Sequence, residues 1–174
     1  MTSMMRRVIV LASVLAVAGC AGARSNAHAS PLVGKHVEIE ADDLQGAGAR
    51  VDTGRGVVQV IDFWASWCDP CRDQIPALDR LARAYRDRGV VVYAVSFDED
   101  RSQVQAFLEA RPVSFPVLWD KGGARLADPL QIYRLPTTLV LDRAGVVRYA
   151  HVGYEPSEAD RLEREVRSLA GEGG

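Results

Sequence analysis

Cys68 and Cys71, separated by two residues, form a pair in this 174-residue chain whose spacing can do chemistry. They close the segment Asp62-Phe63-Trp64-Ala65-Ser66-Trp67-Cys68-Asp69-Pro70-Cys71. At the start of a helix such a pair closes a small disulfide with little rearrangement. Exposed backbone N–H groups and the helix dipole favour the first thiol as the reactive one, because they stabilise its thiolate, the attacking species. Cys71, one turn into the helix, is expected to be more buried and to act as the resolving thiol. Pro70 stiffens the turn and lacks a donor that would be unsatisfied there anyway. Two other readings stand beside this one. A zinc site needs four ligands, and the remaining candidates, Cys20, His28, His36 and His151, have no ligand spacing. A purely structural disulfide is the second.

The elements that must position this pair follow from periodicity. Val57 to Trp64 is β-branched, aromatic and nearly continuous in apolar character, as a central strand covered on both faces requires. From Pro70 the period changes to helical: Ile75, Leu78, Leu81, Ala82 and Tyr85 share a face, Gly89 ends the helix, and Pro76 is expected to kink it. Val90 to Phe97 predicts a second buried strand, and Asp98-Glu99-Asp100 leads into a helix with Val104, Phe107 and Leu108 inward, stopped by Pro112. This alternation calls for a parallel α/β core with right-handed crossovers. Val37 to Glu40 suits a short edge strand paired in a hairpin with Ala49 to Asp52. Pro116 to Trp119 predicts a short strand. Thr138 to Leu141 and Val146 to Val152 read as an antiparallel hairpin around Asp142-Arg143-Ala144-Gly145. Ser157-Glu158-Ala159-Asp160 resembles a capping box for a last helix with Leu162, Val166 and Leu169 inward.

An apolar fraction of 48%, a charged fraction of 25% and a net charge of −2 describe one globular domain and argue against disorder or nucleic-acid binding. The N-terminus differs. Arg6 and Arg7 precede an uninterrupted apolar stretch from Val8 to Ala18, which is a signal-peptide profile and too short for a bilayer span. Val17-Ala18-Gly19-Cys20 looks like a bacterial lipobox, which implies acylation of Cys20 and a mature chain of 155 residues. An ordinary cleavage site with Cys20 incidental is the alternative. The expected organisation is a signal peptide over 1–19, lipidated Cys20 with a flexible tether over 20–31, and one domain over 32–174. Ala21 after the lipidated position favours the outer membrane.

Phe63 to Cys71 closely resembles the thioredoxin active site. Leu135-Pro136-Thr137-Thr138-Leu139-Val140-Leu141-Asp142 resembles the cis-proline segment of the TlpA/ResA-like, membrane-anchored branch of that superfamily. Pro76 sits where the thioredoxin helix kinks, and Leu32-Val33-Gly34-Lys35 resembles the entry to the branch's N-terminal hairpin. The resemblance implies a thioredoxin-like three-layer α/β/α sandwich with a mixed sheet and an N-terminal β-hairpin. It also implies a cis Leu135-Pro136 bond that brings the Leu135 backbone beside Cys68, where an extended substrate can pair with it. By the same analogy Trp64 packs under the site, while Trp67 is partly exposed and lines the substrate groove.

Two positions depart from the branch. It usually carries Asn where Asp62 stands and often Glu where Gln74 stands. A carboxylate buried at Asp62 would have a raised pKa and could take a proton from Cys71 when that thiol attacks a mixed disulfide. The plainer reading of Asp62 is a strand residue hydrogen-bonded to a backbone group. Asp69 places a negative charge beside Cys68, which opposes thiolate formation, favours the disulfide form and points toward a reductant.

The resulting expectation is an extracytoplasmic, lipid-anchored, monomeric thiol:disulfide oxidoreductase that reduces disulfides of exported proteins. It needs no cofactor beyond the Cys68–Cys71 pair. The resemblance implies a membrane electron donor of the DsbD or CcdA type, and cytochrome c maturation is a common task in this branch. Disulfide oxidase or isomerase activity and a redox-inactive binding module are the alternatives. The binding module is disfavoured because Cys68, Pro70, Cys71 and Pro136 are all present. A peroxidase of the peroxiredoxin kind would need a Thr about three residues before its reactive Cys, and Trp64-Ala65-Ser66-Trp67 offers none.

Overall fold

The computed structural model describes residues 30–171. The expected signal peptide, the Cys20 lipidation site and most of the tether lie outside the described residues. Seven strands form one mixed sheet in the order β2-β1-β5-β4-β3-β6-β7. At its centre β3 (Val58–Trp64) runs parallel to β4 (Val90–Ser96), and β4 runs parallel to β5 (Val117–Trp119). On the other side of β3, β6 (Thr137–Leu141) and β7 (Val147–Val152) are antiparallel. All seven residues of β3 are buried, as its apolar run predicts for a strand covered on both faces.

The alternation of β3 divides the core. Val58, Val60 and Trp64 pack with the inward stripes of all three α-helices: α1 (Asp69–Tyr85), α2 (Arg101–Ala110) and α3 (Pro156–Gly171). Ile61 and Phe63 face the opposite cluster with Leu126, Leu130 and Ile132. The mixed sheet between two covering layers matches the expectation, but the second cover is built differently. Residues 121–133 supply it as a 3-10 turn (Lys121–Gly123) followed by further turns, because glycines at positive φ and short polar stretches interrupt any helical stripe there.

Several element boundaries move. The N-terminal hairpin is β1 (Ile39–Asp42) with β2 (Gly48–Val51), and β1 is not the edge, because its Asp42 also pairs with Trp119 of β5. Helix α1 ends at Tyr85 and continues as a 3-10 turn, Arg86–Arg88, before Gly89 closes it at φ 70°. Pro76 lies inside α1 on an exposed face, where the Arg72 carbonyl that loses its donor is near solvent. Helix α3 starts at Pro156, so Ser157 stands inside it and not at the capping position. Proline at the first helical position, with φ already set, moves the start two residues earlier than the Ser-x-x-Asp pattern indicates. Gly145 makes the β6–β7 turn possible: it sits at φ 81°, and a Cβ there would meet the backbone of Gly54 at 2.8 Å.

Candidate active site

Helix α1 begins where the sequence places its chemistry. Cys68 is the N-cap in an extended conformation, and its sulfur accepts the Cys71 N–H at 3.3 Å. Pro70 falls in the first turn. The two sulfurs are joined in a disulfide across a Cα separation of 5.3 Å. Cys68 retains 7% exposure and Cys71 none, which separates an outer from an inner sulfur. An N-cap sulfur receiving a helix N–H is the geometry that stabilises a thiolate on reduction. Among the described residues no group of three His, Cys, Asp or Glu is placed to hold a metal ion.

Under the pair, Trp64 is fully buried and its ring stacks at a tilt on Phe107, 4.9 Å between centroids. Trp67 is 64% exposed and shares a groove with Cys68, Pro70, Phe97, Leu135 and Tyr133. The Leu135–Pro136 bond is cis. Neither the N–H nor the C=O of Leu135 has a backbone partner among the described residues, whereas the Pro136 carbonyl accepts from Gly153 at 2.7 Å. Leu135 therefore presents free main-chain groups on the groove that holds Cys68.

Asp62 occupies the face of β3 that looks toward α1, between Val60 and Trp64. Its carboxyl is completely buried, and burial pushes its pKa up to about 7 against the opposing effect of a hydrogen bond from Thr138. The Thr138 hydroxyl donates to Oδ1 at 2.7 Å, while Oδ2 has no partner. The plainer reading, a carboxylate bonded to backbone, does not hold: its partner is a side chain from β6. Asp69 forms an ion pair with Arg72, whose guanidinium also reaches the Ser66 carbonyl at 3.4 Å. The Arg72 guanidinium therefore stands beside the negative charge that the sequence sets next to Cys68.

Three functional residues escape a reading from sequence. Thr138 lies in the proline segment, but only the β3–β6 register, Asp62 opposite Thr138, shows what its hydroxyl meets. Asp98 opens the acidic run that leads into α2, but it is fully buried and accepts from the Ser66 N–H, the Ser66 hydroxyl and the Ser96 hydroxyl. It thereby anchors the loop that carries Trp67 and Cys68. Tyr133, 71% exposed, is the second aromatic wall of the groove. An unexplained aromatic two residues before Leu135 was the available signal.

Fold and site together define a class: a thioredoxin-like α/β protein whose Cys-x-x-Cys disulfide caps a helix beside a cis-proline. The chain belongs to the AhpC/TSA family, whose model matches residues 33–150. It is 37% identical over 113 residues to the thioredoxin-like protein YneN of Bacillus subtilis, a match that covers 63% of this chain and 65% of that one. It is 30% identical over 127 residues to the thiol-disulfide oxidoreductase ResA of Geobacillus kaustophilus, covering 73% of this chain and 71% of the relative. A solved structure assigned as a thiol:disulfide interchange protein DsbE of Chlorobium tepidum superposes with a TM-score of 0.74 at 29% identity, covering 80% of this chain and 97% of that one.

Proposed function

We propose that this protein is a protein-disulfide oxidoreductase acting mainly as a reductase. The carrying observation is the asymmetry of the pair: an outer sulfur at a helix N-cap, and a fully buried inner sulfur packed in one cluster with Val60 and Trp64, the β3 residues that flank the buried acid Asp62. The Cys68 thiolate attacks a substrate disulfide, forms a mixed disulfide and expels one substrate thiolate. Cys71 then gives its proton to Asp62 and attacks Cys68 Sγ, which closes the Cys68–Cys71 disulfide and expels the second thiolate. Two electrons pass to the substrate. The free Leu135 main chain aligns an extended segment during attack.

Reduction of insulin by dithiothreitol, followed by turbidity, tests the activity. Acceleration by the wild type that is lost in Cys68→Ser supports an enzyme; equal rates identify a binding module. A Cys71→Ser variant should hold substrates as mixed disulfides on Cys68, and a trap that stays empty in cell envelopes counts against the reductase reading.

The same reading puts the protein outside the cytoplasm, tethered by lipid at Cys20 and facing exported substrates, with an outer-membrane location favoured by Ala21. The signal-peptide profile and lipobox support this, and no helix among the described residues is long and apolar enough to cross a membrane. The protein would act as a monomer with no cofactor beyond its own disulfide, recharged by a membrane donor of the DsbD or CcdA type. Fatty-acid labelling that persists in Cys20→Ser would remove the anchor from this picture.

A further inference from the structure

The polar side chains behind the disulfide form a chain with a direction. Gln74, on α1, donates through Nε2 to the Thr138 hydroxyl at 2.8 Å, and that hydroxyl donates to Asp62 Oδ1 at 2.7 Å. A hydroxyl carries one hydrogen. With Gln74 already donating to Thr138, the threonine hydrogen has one acceptor left, and Oδ1 is occupied by it. A proton arriving at Asp62 is therefore better placed on Oδ2, the oxygen without a partner, than on Oδ1, which already accepts from Thr138. The far end of the chain is also unsatisfied, since Gln74 Oε1 is buried with no partner.

Gln74 and Thr138 line a cleft of about 200 Å³ between α1 and α3, wide enough for several water molecules. The charged groups that face the chain come from each element around it. Arg80 of α1 and Glu158, Asp160 and Glu163 of α3 line the same cleft. From β7, His151 lies opposite Thr138 in the ladder, its ring held by Glu158 at 3.2 Å and Glu165 at 2.6 Å. Both imidazole nitrogens are thus engaged by α3 carboxylates, which leaves Gln74 and Thr138 as the side chains that hold Asp62.

We propose that Gln74 and Thr138 are positioning residues for the Cys71 step: their aligned donors hold Asp62 Oδ1 and keep Oδ2 open for the proton leaving Cys71. During resolution the S–H bond of Cys71 breaks, an O–H bond forms at Oδ2, and the sulfur pair closes the disulfide. Asp62 then returns to the carboxylate by giving the proton up to solvent. The proposal rests on Asp62 being the proton acceptor.

The test uses the reduced protein and a chromogenic aromatic disulfide, dithiobis-nitrobenzoate, in rapid mixing. The first thiol released reports attack by Cys68, and the second reports resolution by Cys71. Thr138→Val should move the pH midpoint of the second phase upward by about one unit, the shift that one ordinary hydrogen bond to a carboxylate carries. Gln74→Leu should move it in the same direction by less, and Thr138→Ser should restore the wild-type midpoint. All shifts should vanish in an Asp62→Asn background. If Asp62→Asn itself leaves the second phase and its pH profile unchanged, the acceptor assignment fails. If Asp62→Asn alters the profile while Thr138→Val and Gln74→Leu keep the wild-type midpoint, the positioning chain alone is overturned. Should Thr138→Val not fold, an unshifted Gln74→Leu midpoint overturns the positioning chain by itself.

Discussion

Asp62 and Thr138 stand directly opposite each other across the β3–β6 ladder, and the threonine hydroxyl is the one hydrogen-bond donor to the buried acid among the described residues. The acid sits on the sheet beneath α1, not on the helix itself. Folding must therefore keep a carboxyl dry, and that cost depends on pH.

Asp62 has a folded pKa of about 7 against an ordinary value of 3.8, raised chiefly by burial. A raised acid binds its proton more tightly in the folded state, so its stability contribution is complete below about pH 4 and is lost as pH rises through 7. Urea unfolding of the oxidised protein should show Asp62→Asn gaining on the wild type between pH 4 and pH 8, by on the order of 4 kcal/mol. Parallel pH profiles for the two proteins would contradict this.

Alkylation should separate the two thiols. In the reduced native protein Cys68 should be modified by iodoacetamide while Cys71, with no exposure, reacts only after denaturant is added, as mass spectrometry of the digested protein can read. Equal labelling of both would remove the outer and inner roles.

Asp98 holds three donors on one buried carboxylate. Asp98→Ala would leave the Ser66 N–H and two hydroxyls without their acceptor, and should cost about 3 kcal/mol of stability. A loss below about 1 kcal/mol in chemical denaturation would show that water replaces the acid.

Arg72 compensates Asp69 beside the attacking sulfur. Arg72→Gln should leave Asp69 uncompensated, raise the Cys68 thiol pKa and make the redox potential more reducing, an effect that shrinks with added salt because both side chains are exposed. Equilibration with glutathione at low and high ionic strength measures it, and a shift toward oxidising values would reverse the assignment.

The groove predicts a selective kinetic effect. Trp67→Ala and Tyr133→Ala should raise KM for a protein disulfide severalfold while leaving thermal stability nearly unchanged, since both rings are largely exposed. Unaltered KM with a large protein substrate would place recognition elsewhere.

The order of strands and helices around the site was legible because β3, β4 and α1 carry strong, simple periods, and the cysteine and proline segments marked its two halves. What the sequence concealed depends on register. Nothing local tells that Thr138 meets Asp62 instead of solvent, since the pairing joins positions 76 apart. Asp98 went unassigned for a related reason: only the return of β4 beneath the Ser66 loop buries the first member of this acidic triplet. The second covering layer was hidden because residues 121–133 have no repeating pattern to read.

The two margins of the sheet bear on how a substrate finds the groove. Strand β2 is four residues long, and its Arg50 is paired with Glu38 at 3.0 Å and Glu40 at 3.5 Å. At the opposite margin, Val147 exchanges backbone hydrogen bonds with Gly34 and Lys35. One border is thus short and charged and the other partly capped, devices that discourage unrelated chains from adding a strand. Under the proposed function, an arriving extended polypeptide would be left with the unpaired main chain of Leu135 as a docking rail, so the surface that resists clumping would also steer a client's disulfide toward Cys68.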